Sequence, residues 1–275
     1  MFTFTPNDLA LYLDRLGLPE APPATADGLA TLQHAHLGAI PFENIDPFLG
    51  RVPDLSPEAL TKKLLQDRRG GYCYEQNSLF GAALAACGFT ARRALCRVRQ
   101  RRPFPGARSH LAWLVMLDDG TRLADTGFGG PAPRAPLRLA AGEQRVANGS
   151  YRLTRDESLD EHVLERRGPD GWEPLYSFDG AHVTDEEVAA ANHVAATWEN
   201  SVFPGNLLIA GMDGATRLGL FNRALTEDGP DGLRKSVLAS PDDLSALFAR
   251  LGLNAGPDMT ARIWARLAEA PVAGG

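Results

Sequence analysis

The apolar positions of this chain change period near residue 88, and that change divides it. Before it they recur at helical spacing. In PNDLALYLDRLGL, Leu9, Tyr12, Leu13 and Leu16 share one face and Gly17 ends the run. DGLATLQHAHLGAI and SPEALTKKLLQD follow the same logic, the second opened by Ser56, Pro57 and Glu58 as N-cap and first turn. CYEQNSLFGAALAACGF repeats it with Leu79, Phe80, Ala83, Leu84 and Cys87, closed by Gly88. Its Glu75 falls in the first turn, where a carboxylate complements the helix dipole. Cys73 is therefore expected at the N-terminus of a buried helix. After Gly88, TARRALCRVR, HLAWLVML, TRLADTGF, GSYRLTR, EHVLERR and EPLYSF read as strands of an antiparallel sheet or barrel. A helix returns at TDEEVAAANHVAAT behind Thr184, and GNLLIAGM, GATRLGLFNRALTE and LRKSVLAS predict a three-stranded meander. SPDDLSALFARLGL predicts a closing, capped helix with Arg250 in its last turn. Helices, then sheet, then a mixed tail make an α+β protein of three modules.

Composition changes this picture only by exclusion. With 44% apolar and 23% charged residues over 275 positions, the chain is that of a globular protein, and no run approaches the ~18 apolar residues of a membrane span. MFTFTPNDLALYLDRLGLPE carries acids and an early proline where an export signal has basic residues before an apolar run. The expected location is cytoplasmic, with no membrane partner. The three cysteines, Cys73, Cys87 and Cys96, lack CxxC spacing and are expected to be free thiols. A net charge of -6 opposes a phosphate backbone, so no nucleic-acid partner is expected. The basic run ARRALCRVRQRR, from Ala91 to Arg102, reads as a solvated strand and loop, with a rim for an anionic small molecule as the other reading.

The candidate chemistry begins at RRGGYCYEQN, residues 68 to 77. Backbone N–H groups and the positive end of the dipole favour a thiolate at a helix N-terminus, and Gly70 and Gly71 leave room for a substrate to approach. An inert, buried thiol is the plainer reading of the same stretch. A thiol nucleophile needs a base, and His110 opens the core strand HLAWLVML. A carboxylate must hold that imidazole, and LADTGFGG offers Asp125 at a strand end. A symmetric two-residue hairpin at Asp119-Gly120 would set Asp125 opposite Leu114, four residues from His110 and roughly 13 Å away at strand rise. Direct opposition needs the hairpin midpoint between Leu117 and Asp118, through an asymmetric loop or bulge. The other histidines, including His34 and His36, are assigned to no metal.

Four segments in this order, AIPFENID at 39 to 46, RGGYCYEQN at 69 to 77, HLAWLV at 110 to 115 and LADTGFGG at 123 to 130, resemble the arylamine N-acetyltransferase family. The resemblance implies a cysteine-protease or transglutaminase-like scaffold. A helical bundle at 1–88 would carry the cysteine and an antiparallel β-barrel at 89–183 the histidine and aspartate. An interdomain helix and linker at 184–205 and an α/β lid at 206–275 would complete it. It implies a triad of Cys73, His110 and Asp125 and a ping-pong transfer, in which the thiolate takes acetyl from acetyl-CoA and an aromatic amine, hydrazine or N-hydroxyarylamine then takes it. It implies an acceptor pocket lined by Phe42, Tyr74, Phe128 and Phe203, and pantetheine contacts at Ser109 and Gly129. Structural support is implied from Arg69 with Glu43 and Asn44, with backbone N–H groups near Cys73 and Tyr74 for the oxyanion. It implies no metal and leaves homodimerisation open. Trp198-Glu199-Asn200 and Trp113 depart from the family pattern and bear on the acceptor. An amide synthase, transglutaminase or peptidase using the same triad, and a non-catalytic small-molecule binder, are the competing readings.

Overall fold

Caps and breakers set the helices. In the computed structural model, which describes residues 3–100 and 105–269, helix α1 (Pro6–Leu16) starts behind Thr5. The Thr5 hydroxyl accepts from the Asp8 N–H, the Asp8 carboxylate accepts from the Thr5 N–H, and Gly17 ends the helix in the left-handed region. Helix α2 (Ala26–Ala39) is capped by Thr25. Strand β1 (Phe42–Glu43) and helices α3 (Ile45–Phe48) and α4 (Pro57–Leu60) follow. A π-helical stretch, Thr61–Gln66, continues α4, and α5 (Cys73–Ala86) comes next.

The central region is a sheet of eight strands: β2 (Thr90–Val98), β3 (Arg108–Met116), β4 (Arg122–Ala124), β5 (Leu137–Arg138), β6 (Glu143–Val146), β7 (Gly149–Asp156), β8 (Glu161–Gly168) and β9 (Gly171–Phe178). Their order is β5-β4-β3-β2-β9-β8-β7-β6, antiparallel at each pairing. The two outer strands meet through one side chain. Gln144 of β6 accepts from the Arg138 N–H of β5 at 2.8 Å and donates to the Arg138 carbonyl at 2.9 Å, so an amide side chain stands in for a strand pair and nearly closes the barrel.

The last third comprises α6 (Asp185–Thr197), α7 (Val202–Gly205), β10 (Leu208–Asp213), β11 (Thr216–Phe221), β12 (Ala224–Gly229), β13 (Gly232–Val237), α8 (Pro241–Arg250) and α9 (Gly256–Glu269). Two expectations are corrected here. GATRLGLFNRALTE is two strands, because Asn222 takes a left-handed conformation and turns the chain. The meander therefore has four strands, and β1 pairs with β10 as the fifth. A helix also follows α8: α9 buries Ile263 and Leu267, one turn apart, against Leu244 and Leu247.

The cores cross between these regions. Ile45 and Phe48 pack with the C-terminal sheet and α8, while Trp113, Val115 and Ala124 of the barrel pack with the helices. Among the described residues no helix is long and apolar enough to cross a membrane.

Candidate active site

Tyr72, the N-cap of α5, offers no side-chain acceptor to the first turn. The N–H groups of Cys73 and Tyr74 at this terminus instead favour the ionised form of the Cys73 sulfur, whose thiol lies 4.0 Å from the Ser109 carbonyl. Burial pushes this thiol far above its ordinary range, the Asp125 carboxylate adds to the effect, and the two N–H groups oppose it. The helix terminus alone therefore does not ionise Cys73, contrary to the local reading of the sequence. A cationic partner must supply the difference.

His110 and Asp125 are brought together by a register between the two considered. The pairs Trp113–Ala124, Leu114–Leu123 and Val115–Arg122, with a turn closed by the Gly120 N–H on the Leu117 carbonyl, put the hairpin midpoint between Asp118 and Asp119. Side chains span the remaining two residues: His110 Nε2 lies 2.7 Å from Asp125 Oδ2, both groups buried. Asp125 Oδ1 accepts from Asn77 Nδ2 at 3.0 Å and from the Gly127 N–H at 2.8 Å. Burial raises the Asp125 carboxyl, but His110, Asn77 and Gly127 outweigh it and hold the group below the ordinary range. An ionised Asp125 requires the proton on His110 Nε2, which leaves Nδ1 to accept one.

Asn77 is the functional residue that sequence reasoning misses. Its Nδ2 also donates to the Leu111 carbonyl at 2.6 Å, and its Oδ1 accepts from the Thr126 N–H at 3.2 Å. One amide thus ties α5 to β3 and to the Asp125 loop. The available signal was polar Gln76 and Asn77 inside a helix buried on every face.

Gly127 makes the junction close, since a Cβ there would lie 2.7 Å from the Cys73 Cα. Gly70 and Gly71 have a different role from the expected one. A Cβ on Gly70 would lie 2.2 Å from the Pro41 carbonyl oxygen, and one on Gly71 2.8 Å from Glu75 Cβ, so both serve packing and neither lines the cavity.

Beneath α5 lies a buried charge network. Arg69 donates to Glu43 Oε1 from Nε at 3.0 Å and from Nη2 at 2.6 Å, and Glu43 Oε2 accepts from the Ile45 N–H. Lys63, from the π-helical stretch, joins Glu75 at 2.6 Å and Asp46 at 2.5 Å. Burial raises Asp46, but Lys63 and Arg69 hold it at about 2. Asn44 is not part of this set. Its Nδ2 donates to the Phe203 and Asn206 carbonyls at 2.9 and 2.8 Å and its Oδ1 accepts from the Leu208 N–H at 2.6 Å.

Cys73 and His110 open onto a cavity of about 460 Å³. Phe42, Phe128 and Phe203 line it, as do Ser109 and Gly129. Tyr74 does not: it is wholly buried and packs edge-on against Tyr72, 5.5 Å between ring centres. Trp113 faces the other way, into the helical core, where its Nε1 donates to the Asn77 carbonyl at 2.7 Å and its ring lies over Gly81. Its bulk therefore does not touch the cavity. Trp198 does line the cavity. Of the basic run, Arg93 pairs with Asp185, Arg97 with Glu161 and Arg99 with Asp156; Arg101 and Arg102 lie outside the described residues. Among the described residues no group of three or more His, Cys, Asp or Glu side chains could hold a metal ion.

A family model described as N-acetyltransferase matches residues 25–255. Arylamine N-acetyltransferase of Mycolicibacterium smegmatis is 37% identical over 95% of this chain and 98% of its own length. The chain belongs to the arylamine N-acetyltransferase family. Another member of the family, the arylamine N-acetyltransferase / N-hydroxyarylamine O-acetyltransferase of Salmonella typhimurium, is 40% identical over 72% of this chain and 69% of its own. The Mycobacterium marinum arylamine N-acetyltransferase solved in complex with CoA has a TM-score of 0.88 at 36% identity, covering 95% of this chain and 99% of that one. The α+β scaffold of helices, nearly closed barrel and further sheet is that of the family.

Proposed function

We propose that this enzyme transfers acetyl from acetyl-CoA to the nitrogen of aromatic amines or hydrazines, and to the oxygen of N-hydroxyarylamines, through an acetyl thioester on Cys73. The observation that carries this reading is the buried His110–Asp125 pair at 2.7 Å, whose histidine lines the same cavity as Cys73. His110 Nδ1 takes the thiol proton, and the imidazolium, stabilised by Asp125, offsets the cost of a buried thiolate. The thiolate attacks the thioester carbonyl; a bond forms to Cys73 Sγ, the bond to the CoA sulfur breaks, and His110 returns its proton to CoA. In the second half the acceptor nitrogen attacks the acetyl carbon, His110 takes the N–H proton, and Cys73 leaves as thiolate. The Cys73 and Tyr74 N–H groups are the candidate donors to the oxyanion.

Phe42, Phe128 and Phe203 would hold a flat aromatic acceptor, and Ser109 and Gly129 the pantetheine arm. Arg69 and Glu43 would support the α5 terminus from below, and Asn44 the Phe203 segment. Unpaired cysteines and a thiolate mechanism suit a reducing, cytoplasmic setting. The test is peptide mass analysis after exposure to acetyl-CoA without acceptor. An acetyl group on the Cys73 peptide is expected, with CoA released in equal amount; a folded protein left unmodified there sinks the mechanism.

A further inference from the structure

Among the described residues three arginines are buried, Arg15, Arg69 and Arg122. Two of them hold an acid: Arg69 grips Glu43 through Nε and Nη2, and Arg122 Nη2 reaches Asp119 at 2.5 Å. Arg15, in the last turn of α1, holds none. It is 5% exposed, and its Nε and Nη2 are buried without a hydrogen-bond partner. These are the two nitrogens of one guanidinium edge, the edge with which Arg69 takes its carboxylate. A charge left inside with its bonding edge unpaired costs stability, so each such group needs an explanation.

The surroundings add a second cation. One turn before Arg15, the Tyr12 hydroxyl bonds His36 Nδ1 at 2.7 Å, and α1 packs on α2 and on the π-helical stretch Thr61–Gln66. The Asp67 and Arg69 N–H groups bond the Lys62 and Lys63 carbonyls, which folds the next loop back on that stretch. Arg68 stands at the fold, exposed, in the left-handed region at φ 52°. Its carbonyl accepts from the Asn254 N–H at 3.1 Å. Burial, and after it the charge of Arg68, lower the Arg15 guanidinium from its ordinary value. The neighbouring acid does not answer this charge, because both Asp67 oxygens accept from Lys62 Nζ, at 2.8 and 2.6 Å. Among the described residues neither arginine is ion-paired, and neither lines the catalytic cavity.

We propose that Arg15 and Arg68 form a binding site for a phosphate group, on the helical module and outside the catalytic cavity. The Nε and Nη2 edge of Arg15 matches two oxygens of a tetrahedral oxyanion, and Arg68 supplies the second positive charge that a dianion takes. A carboxylate would use the edge and leave the second charge unanswered. Inorganic phosphate and an organic phosphomonoester share the chemistry. Bound there, either would bridge α1 to the loop at 68–71 that leads into Cys73.

The experiment titrates the full-length enzyme with inorganic phosphate at constant ionic strength in chloride, without CoA, followed by phosphorus NMR line width. Saturable broadening is expected. Arg15→Met, which keeps an apolar stem without the edge, should weaken binding about 10- to 150-fold, the worth of hydrogen bonds to a charged group. Arg15→Lys, which keeps the charge, should recover only part of it, and Arg68→Gly should bind more weakly than the wild type. Urea midpoints separate this from a structural role. In chloride Arg15→Met should be at least as stable as the wild type, since an unpaired buried charge is gone, and low phosphate should raise the wild-type midpoint more than the variant's. Glycerol phosphate binding as tightly as inorganic phosphate would assign an organic phosphomonoester; a preference for inorganic phosphate would assign the free anion. Absence of saturable binding, or acetate competing as well as phosphate, overturns the proposal. So does undiminished binding in Arg15→Met, which would put the phosphate elsewhere, or an Arg15→Met midpoint lowered equally in chloride and in phosphate.

Discussion

Replacing Asn77 by leucine, similar in volume but without the amide, isolates the link between α5 and the Asp125 loop. The change strips the Leu111 carbonyl, the Thr126 N–H and Asp125 Oδ1 of a partner in a buried place. The Leu111 carbonyl and the Thr126 N–H are left orphaned, and at about 1–3 kcal/mol each stability should fall by roughly 2–6 kcal/mol, readable as a lower urea midpoint at unchanged slope. Asp125 keeps two of its three donors, His110 and the Gly127 N–H. A hydrogen bond to a charged group is worth about 1.5–3 kcal/mol, and the imidazolium loses that part of its support, so Cys73 acetylation should slow about 10- to 150-fold. Single-turnover CoA release on folded protein measures this, and iodoacetamide alkylation across pH should show a smaller reactive thiolate fraction near neutrality. Wild-type acetylation and alkylation rates in a folded Asn77→Leu enzyme would refute the idea that the amide holds Asp125 in its ionised, oriented state.

Two further outcomes follow from other parts of the molecule. Gly127→Ala places a methyl 2.7 Å from the Cys73 Cα; backbone must move, and both stability, by about 1–3 kcal/mol, and CoA release should fall, whereas full activity would mean the two segments are not in register through this contact. Lys63→Met leaves Glu75 and Asp46 short of their cation; a loss of roughly 3–5 kcal/mol is expected at pH 7, easing on acidification as Glu75, which burial already raises, takes a proton.

The alternation after Gly88 is enough to predict six of the eight barrel strands, though not the short β5 and β6, and the cap residues Ser56, Thr184 and Ser240 to start three helices. What stays illegible has no period to read. Strand β1 is two residues long, and Phe42 and Glu43 become a strand only because β10 lies beside them. The hairpin at Asp118-Asp119 is a matter of which acid sits at the turn, and sequence offers both choices. Trp113 and His110 share a strand but not a face, since three residues separate them, and the face decides that the tryptophan serves the core. Lys63 carries no role in the helical pattern of SPEALTKKLLQD. Its burial depends on the π-helical turn and on acids from three other segments.

Strand β1 also decides the order in which the protein can be finished. On one side it pairs with β10; on the other, the Glu43 N–H donates to the Gly71 carbonyl and Phe42 bridges Gly71, two residues before the thiol. The loop leading into the nucleophile is therefore an appendage of a sheet whose other strands are made well over a hundred residues later. During synthesis the cysteine leaves the ribosome early, with β1 already made and β10, which pairs with β1, still missing. An acyl carrier with an unguarded thiol would react with whatever it met. Here the strand that carries the loop is itself completed by β10, so the setting of the thiol and the last sheet are structurally coupled.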